Sequence, residues 1–91
     1  MLNIEWTRAA RQDLVEIVGF IANDNPLAAR KMKVLIMEAV IPAARHPRIF
    51  RRGRVDGTHE IPLHPHYLLV YQVLETHIRV LRVLHTRRQY P

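Results

Sequence analysis

The chain has no cysteine, which excludes disulfides and thiolate metal sites and fits a reducing compartment. Glycine is scarce, with three in 91 residues, and no Gly/Ser-rich or Pro-rich stretch marks a linker or a second domain. No apolar run reaches membrane-spanning length, and the opening MLNIEWTRAA lacks the apolar centre of a secretory signal. These absences predict one cytoplasmic domain over residues 1–91 with no membrane association. What remains is an ordinary globular composition, 48% hydrophobic and 24% charged, rather than that of a disordered chain. A chain of this length builds one core and buries about 60–65% of its unfolded surface.

Acidic residues are scarce in one half only. Residues 1–44 balance five basic groups against five acidic ones, whereas residues 45–91 carry nine arginines against Asp56, Glu60 and Glu75, a net of +6. Twelve of the fourteen basic residues are arginine, whose planar fork matches phosphate and carboxylate better than the point charge of lysine. The asymmetry implies a negatively charged partner: nucleic acid, a nucleic-acid machine or an acidic protein.

The hydrophobic pattern supplies the elements. Leu2, Ile4 and Trp6 alternate with polar residues as a half-buried strand. Thr7 is placed to cap a helix whose apolar stripe is Ala10, Leu14, Ile17, Val18 and Ile21. Asn23-Asp24-Asn25 ends it, and Asn25-Pro26 starts a second helix with the stripe Ala29, Met32, Ile36, Ala39 and Ala43. Pro42 kinks that helix or begins a separate last turn, and His46-Pro47 stops it. An arginine-rich connection, Arg48 to Gly57, leads to a strand at Thr58 to Leu63. YLLVYQV and IRVLRVLH, separated by a polar break at Glu75-Thr76-His77, form an antiparallel hairpin apolar enough to lie inside a sheet. The order is strand, helix, helix and a three-stranded antiparallel meander, an α+β two-layer domain.

Strict alternation leaves one conflict in the last strand. Arg82 shares a face with Ile78, Val80 and Leu84, and Arg79 shares the other with Leu81, Val83 and His85, so neither face is cleanly apolar. One arginine must therefore reach the helical layer near an edge, or the helices leave that end of the sheet open. Apolar residues outside the stripes (Val15, Phe20, Leu27, Val34 and Leu35) serve either a partner groove or the packing of the helical hairpin itself.

Three groups of side chains are candidates for function. The run Arg45, Arg48, Arg51, Arg52, Arg54 is a cationic loop able to hold phosphate or an acidic peptide, with Arg51, Arg52 and Arg54 as the binding candidates. Arg87, Arg88 and Tyr90 form a cationic, aromatic tail just beyond the last strand. If the chemistry is RNA cleavage, His85 supplies acid/base, Arg82 stabilises phosphate charge and Tyr90 stacks or donates a proton. Otherwise His85 is a strand-end histidine bonded to a neighbour. His59, His64, His66 and His85 lack a carboxylate cluster and metal-ligand spacing, so neither a metal site nor a cofactor is expected.

The opening strand with Trp6, the Asp13-Leu14 pair, Asn25-Pro26 followed by Ala28-Ala29, His46-Pro47, the GTHEIPL segment, YLLVYQV and the final VLHTRRQYP together resemble the RelE/ParE superfamily of type II toxin–antitoxin toxins. The VLH-x-RR ending is most similar to the ParE branch. The resemblance implies a toxin held inactive by a cognate antitoxin in a hetero-oligomer, with DNA gyrase as its target. The alternative it carries is a RelE-like, metal-independent enzyme that cuts messenger RNA in the ribosome. Many nuclease members place an arginine within the strand equivalent to YLLVYQV, where this chain has Leu68 and Leu69, which favours the gyrase-inhibiting, non-enzymatic expectation.

Overall fold

The computed structural model of the chain describes residues 1–63 and 66–87. It contains β1 (Asn3–Trp6), α1 (Arg8–Asp24), α2 (Pro26–Ala39), α3 (Ile41–Arg45), β2 (Thr58–Leu63), β3 (Tyr67–Val73) and β4 (His77–His85). The two-layer α+β architecture is the one expected from the sequence. The sheet order is β1-β4-β3-β2, so the hairpin strands are central, in keeping with their continuous apolar runs. β1 adds to β4 in parallel, pairing Ile4 with Ile78 and Trp6 with Val80.

Local chemistry sets the helix boundaries. The Thr7 hydroxyl oxygen accepts from Ala10 N–H at 3.1 Å, and the Asn25 side chain accepts from Ala28 N–H at 3.1 Å. Pro26 opens α2, where its missing N–H costs nothing. Pro42 starts a separate last turn, α3, instead of kinking α2. Ala10, Ile36, Val40 and Ala43 are fully buried against Leu69, Tyr71, Ile78 and Val80 of the sheet, forming the main core. The small alanines let the helices approach the sheet closely.

A β-bulge resolves the conflict in β4. Val70 pairs with Arg82 but the next residue, Tyr71, pairs with Val80, so Leu81 is the extra residue. The shift places Ile78, Val80 and Val83 in one cluster beneath the helices, and Leu81 and Leu84 in a second with Leu68 and Val70. Strict alternation is thus broken at Leu81.

The bulge also marks where β1 ends. Thr7 N–H donates to the Val80 carbonyl at 3.1 Å, and the Thr7 hydroxyl donates to the Leu81 carbonyl at 3.0 Å. One step further, Asp13 of α1 accepts from Val83 N–H at 2.9 Å and from Arg82 Nε and Nη2 at 2.8 and 2.9 Å. Asp13 is buried, so it clamps the open edge of β4 to the helical layer. Arg82 is the arginine that reaches the helices.

β2 is the opposite edge strand, where Pro62 removes an N–H without breaking an internal ladder. Its outer edge is partly covered by the arginine-rich connection. Gly53 N–H donates to the Thr58 carbonyl, Glu60 N–H donates to the Arg51 carbonyl, and Arg52 bridges His59. The connection is a short added rung of the sheet. No helix among the described residues is long and apolar enough to cross a membrane.

Candidate functional site

The two cationic candidates lie at opposite ends of the sheet. Arg52 sits beside His59, near the start of β2, while Arg87 follows His85, which pairs with Tyr67 and, through it, Leu63. Four residue steps along β2, from His59 to Leu63, separate those ends, roughly 13 Å of rise. Arg51, Arg52 and Arg54 therefore do not join Arg87 in one surface. Arg88 and Tyr90, the rest of the tail candidate, lie outside the described residues, as does His64.

The arginines of the loop also differ from one another. Glu60, buried on β2, pairs with Arg51 Nε at 3.3 Å and accepts from Arg54 N–H at 3.1 Å. Arg51 and Arg54 are thus anchored to the fold by a carboxylate that the sequence reading did not use. Period-two alternation in THEIPL puts Thr58 and Glu60 on one face, the signal that could have revealed it. A Cβ on Gly53 would collide with the Thr58 hydroxyl and crowd the Glu60 side chain, so glycine is required for this close approach.

The loop is pinned to the core by aromatic residues. Tyr71 is buried on β3 and donates its hydroxyl to the Pro47 carbonyl at 2.6 Å. Burial pushes its pKa up from 10.0 to about 12, because the phenolate cannot be solvated there. His59 stacks on its ring with centroids 5.3 Å apart, and Phe50 meets it edge-on at 6.4 Å.

At the other end, His85 accepts from Arg87 N–H at its Nδ1 (3.1 Å), lies edge-on to Tyr67 and has the His66 ring 5.8 Å away. It borders a cleft of about 280 Å³ that Phe20 and Tyr67 line with aromatic surface. Asp13 and Glu16 also line that cleft. Arg82 is held by Asp13, whose hydrogen bonds raise its already high pKa, so its charge is spent within the fold. Of the set called for RNA cleavage, Arg82 is thus paired with Asp13 and His85 borders the cleft. Among the described residues, no three His, Asp or Glu side chains are grouped to hold a metal ion.

Two of the unexplained apolar residues of the helices, Phe20 and Val15, fall on separate surfaces. Phe20, 72% exposed, stands over the His85 cleft. Val15 belongs to a groove of about 930 Å³ between β1 and the helical hairpin, floored by Trp6, Leu14, Val18 and Met37. Arg11 and Lys33 line the same groove. Glu5 beside it is already engaged, with Oε1 2.9 Å from His77 Nε2 and Oε2 2.9 Å from Arg79 Nε. The Arg79 hydrogen bond is the main reason its pKa lies below the ordinary value. An apolar floor lined also by Arg11 and Lys33 suits an amphipathic, acidic segment.

Comparison with known families decides the identity. The family described as "ParE toxin of type II toxin-antitoxin system, parDE" matches residues 4–90. This chain belongs to the ParE toxin family. Relatives of this ParE-family toxin include the Y4kP protein of Sinorhizobium fredii, 34% identical over 97% of this chain and 92% of its own length. Another is toxin RelE2 of Caulobacter vibrioides, 30% identical over 97% of this chain and 99% of its own. The structure of the chromosomal ParDE toxin–antitoxin system of P. aeruginosa superposes with a TM-score of 0.84 at 25% identity, covering 96% of this toxin and 98% of that chain. The RelBE2 toxin–antitoxin complex of Mycobacterium tuberculosis shares the fold at a TM-score of 0.61 and 24% identity, over 92% and 96% of the two chains.

Proposed function

We propose that this toxin inhibits DNA gyrase and is neutralised by a cognate antitoxin that lays an acidic, amphipathic segment in the groove between β1 and the helical hairpin. The observation that carries the non-nuclease reading is the Asp13–Arg82 clamp. Asp13 consumes the one strand arginine near His85, and Glu16 adds a further carboxylate to that cleft. A phosphodiester entering there would meet negative charge where a nuclease needs positive charge. Leu68 and Leu69, both buried, occupy the stretch in which many nuclease members carry an arginine. The resemblance to the ParE branch supports the reading of gyrase as the target.

The tail is the proposed target contact. Arg87 is exposed at the end of β4, and Arg88 and Tyr90 follow it in sequence. Arginine forks and an aromatic ring are the groups an acidic or phosphate-rich partner engages. The groove serves a separate partner, the antitoxin, and the two surfaces are separable by mutation.

Expression in a sensitive bacterium tests the reading. The toxin alone should arrest growth, and co-expression of the antitoxin should restore it. Arg87→Ala/Arg88→Ala should fold yet lose toxicity, whereas Val15→Glu should stay toxic and escape neutralisation. Normal growth with abundant soluble toxin would count against the assignment as a whole. A tail variant that is folded and fully toxic would move the target contact elsewhere. The ribosome-dependent nuclease is the second reading, favoured by the RelE2 relative and by the place of His85 at the strand end. It requires that His85→Ala abolish cutting of messenger RNA.

A further inference from the structure

Five arginines of the second half fall into two sets, and the division points to a site at the start of β2. Arg51, Arg79 and Arg82 are each paired with a carboxylate, Glu60, Glu5 and Asp13 respectively. Arg48 and Arg52 have no carboxylate partner among the described residues. Both line one cleft of about 310 Å³ at the start of β2, together with His59. The cleft has room for one phosphate group and several waters at about 30 Å³ each.

We propose that this cleft is a phosphate-binding site, with Arg48 and Arg52 as the charged donors and His59 as part of its wall. Guanidinium forks bind phosphate oxygens through paired, charge-assisted hydrogen bonds. The cleft is also built, not merely charged. The Arg52–His59 bridge and the Gly53 N–H bond to the Thr58 carbonyl fix its backbone against β2. His59 stacks on buried Tyr71, and its Nδ1 lies 3.1 Å from the Phe50 carbonyl, to which it donates. That bond leaves Nε2 as the ring's remaining polar atom. Gly57, with φ of 80°, turns the chain along the wall of the cleft. Asp56 is the one carboxylate among the lining residues, and it opposes an anion.

The ligand chemistry is a phosphate group, either free or within a nucleic-acid backbone. A backbone phosphate held here would be gripped without regard to sequence, since phosphate contacts position rather than specify. The cleft's chemistry does not depend on whether gyrase is the target. Phosphate binding can therefore fail while the gyrase reading stands, and the reverse.

Titration of the full-length toxin with inorganic phosphate, followed through the His59 ring resonances by NMR, tests the site. Chloride at matched ionic strength is the control. Saturable shifts with phosphate alone are expected. Arg48→Ala and Arg52→Ala should each weaken binding about tenfold or more. Arg30→Ala on the exposed face of α2, which removes the same charge elsewhere, should leave it unchanged, and Asp56→Asn should tighten it. Each variant is first checked for an unchanged thermal midpoint, and two independent arginine variants guard against one that misfolds. A short DNA duplex then distinguishes the source. Displacement of phosphate by the duplex assigns a nucleic-acid backbone, and its failure to displace assigns a free phosphate. Shifts reproduced by chloride, or binding retained in both arginine variants, would overturn the proposal.

Discussion

Replacing Asp13 with alanine removes three hydrogen bonds at once, and the structure allows the loss to be divided. Val83 N–H, buried on β4, loses its acceptor (2.9 Å) and gains none, which costs about 1–3 kcal/mol. The Arg82 pair is shorter and bidentate, but the arginine side chain is 41% exposed. Water compensates much of that loss, so the ion pair contributes only about 0.5–1 kcal/mol. Asp13→Ala should therefore cost roughly 2–4 kcal/mol, a large share of the 5–15 kcal/mol typical of small domains. For a chain of this size that lowers the thermal midpoint by about 8–32 °C. Asp13→Asn keeps an oxygen for Val83 N–H and loses the charge, so it should cost about 1 kcal/mol. Urea unfolding of both variants, combined with Arg82→Ala in a double-mutant cycle, reads the two parts separately. A change within about 0.5 kcal/mol for Asp13→Ala, the size of an ordinary surface substitution, would refute the clamp.

Tyr71→Phe should lose about 1 kcal/mol with the hydroxyl bond to the Pro47 carbonyl, and alkaline unfolding reads a second consequence. Because the folded pKa of Tyr71 is raised to about 12, its contribution is intact below pH 10 and is lost as the pH climbs from 10 toward 12. The phenylalanine variant should lack that part of the alkaline transition. Glu5 works in the opposite sense. Its folded pKa lies below 4.5, so the stability it contributes is present above that value and fades as the pH falls through the folded pKa. Glu5→Gln should flatten the acid limb of a stability–pH curve, and an unaltered limb would contradict the Glu5–Arg79 pairing. Gly53→Ala should loosen the Arg51–Glu60 region and lower the thermal midpoint, since the added methyl meets the Thr58 hydroxyl.

The elements were legible because they depend on near neighbours. Thr7, Asn25 and Pro26 announce helix starts through local hydrogen bonding and a fixed φ, and YLLVYQV announces a central strand by its uninterrupted apolarity. The bulge at Leu81 carried no such signal. Neither glycine nor proline marks it, and it follows from where β1 ends and Asp13 takes over the β4 edge. Long-range ion pairs were illegible for the same reason. Asp13 and Arg82 are 69 residues apart, and only the fold makes them partners. At the candidate sites, the sequence located the charge but not its accounting. Arg51, Arg52 and Arg54 read as equivalent, yet buried Glu60 holds Arg51 and the Arg54 backbone, while Arg52 is left to line a cleft with Arg48. Val15, Phe20 and Val34 stood out as apolar residues beyond the stripes, and the structure leaves all three exposed.

The most direct test of the account is a paired assay of the purified toxin on DNA gyrase and on a cell-free translation system. Inhibition of supercoiling or accumulation of cleaved gyrase–DNA complex, with reporter translation unaffected and the effect lost in Arg87→Ala/Arg88→Ala, is the predicted result. Unimpaired supercoiling together with ribosome-dependent cutting of messenger RNA, abolished by His85→Ala, would contradict it.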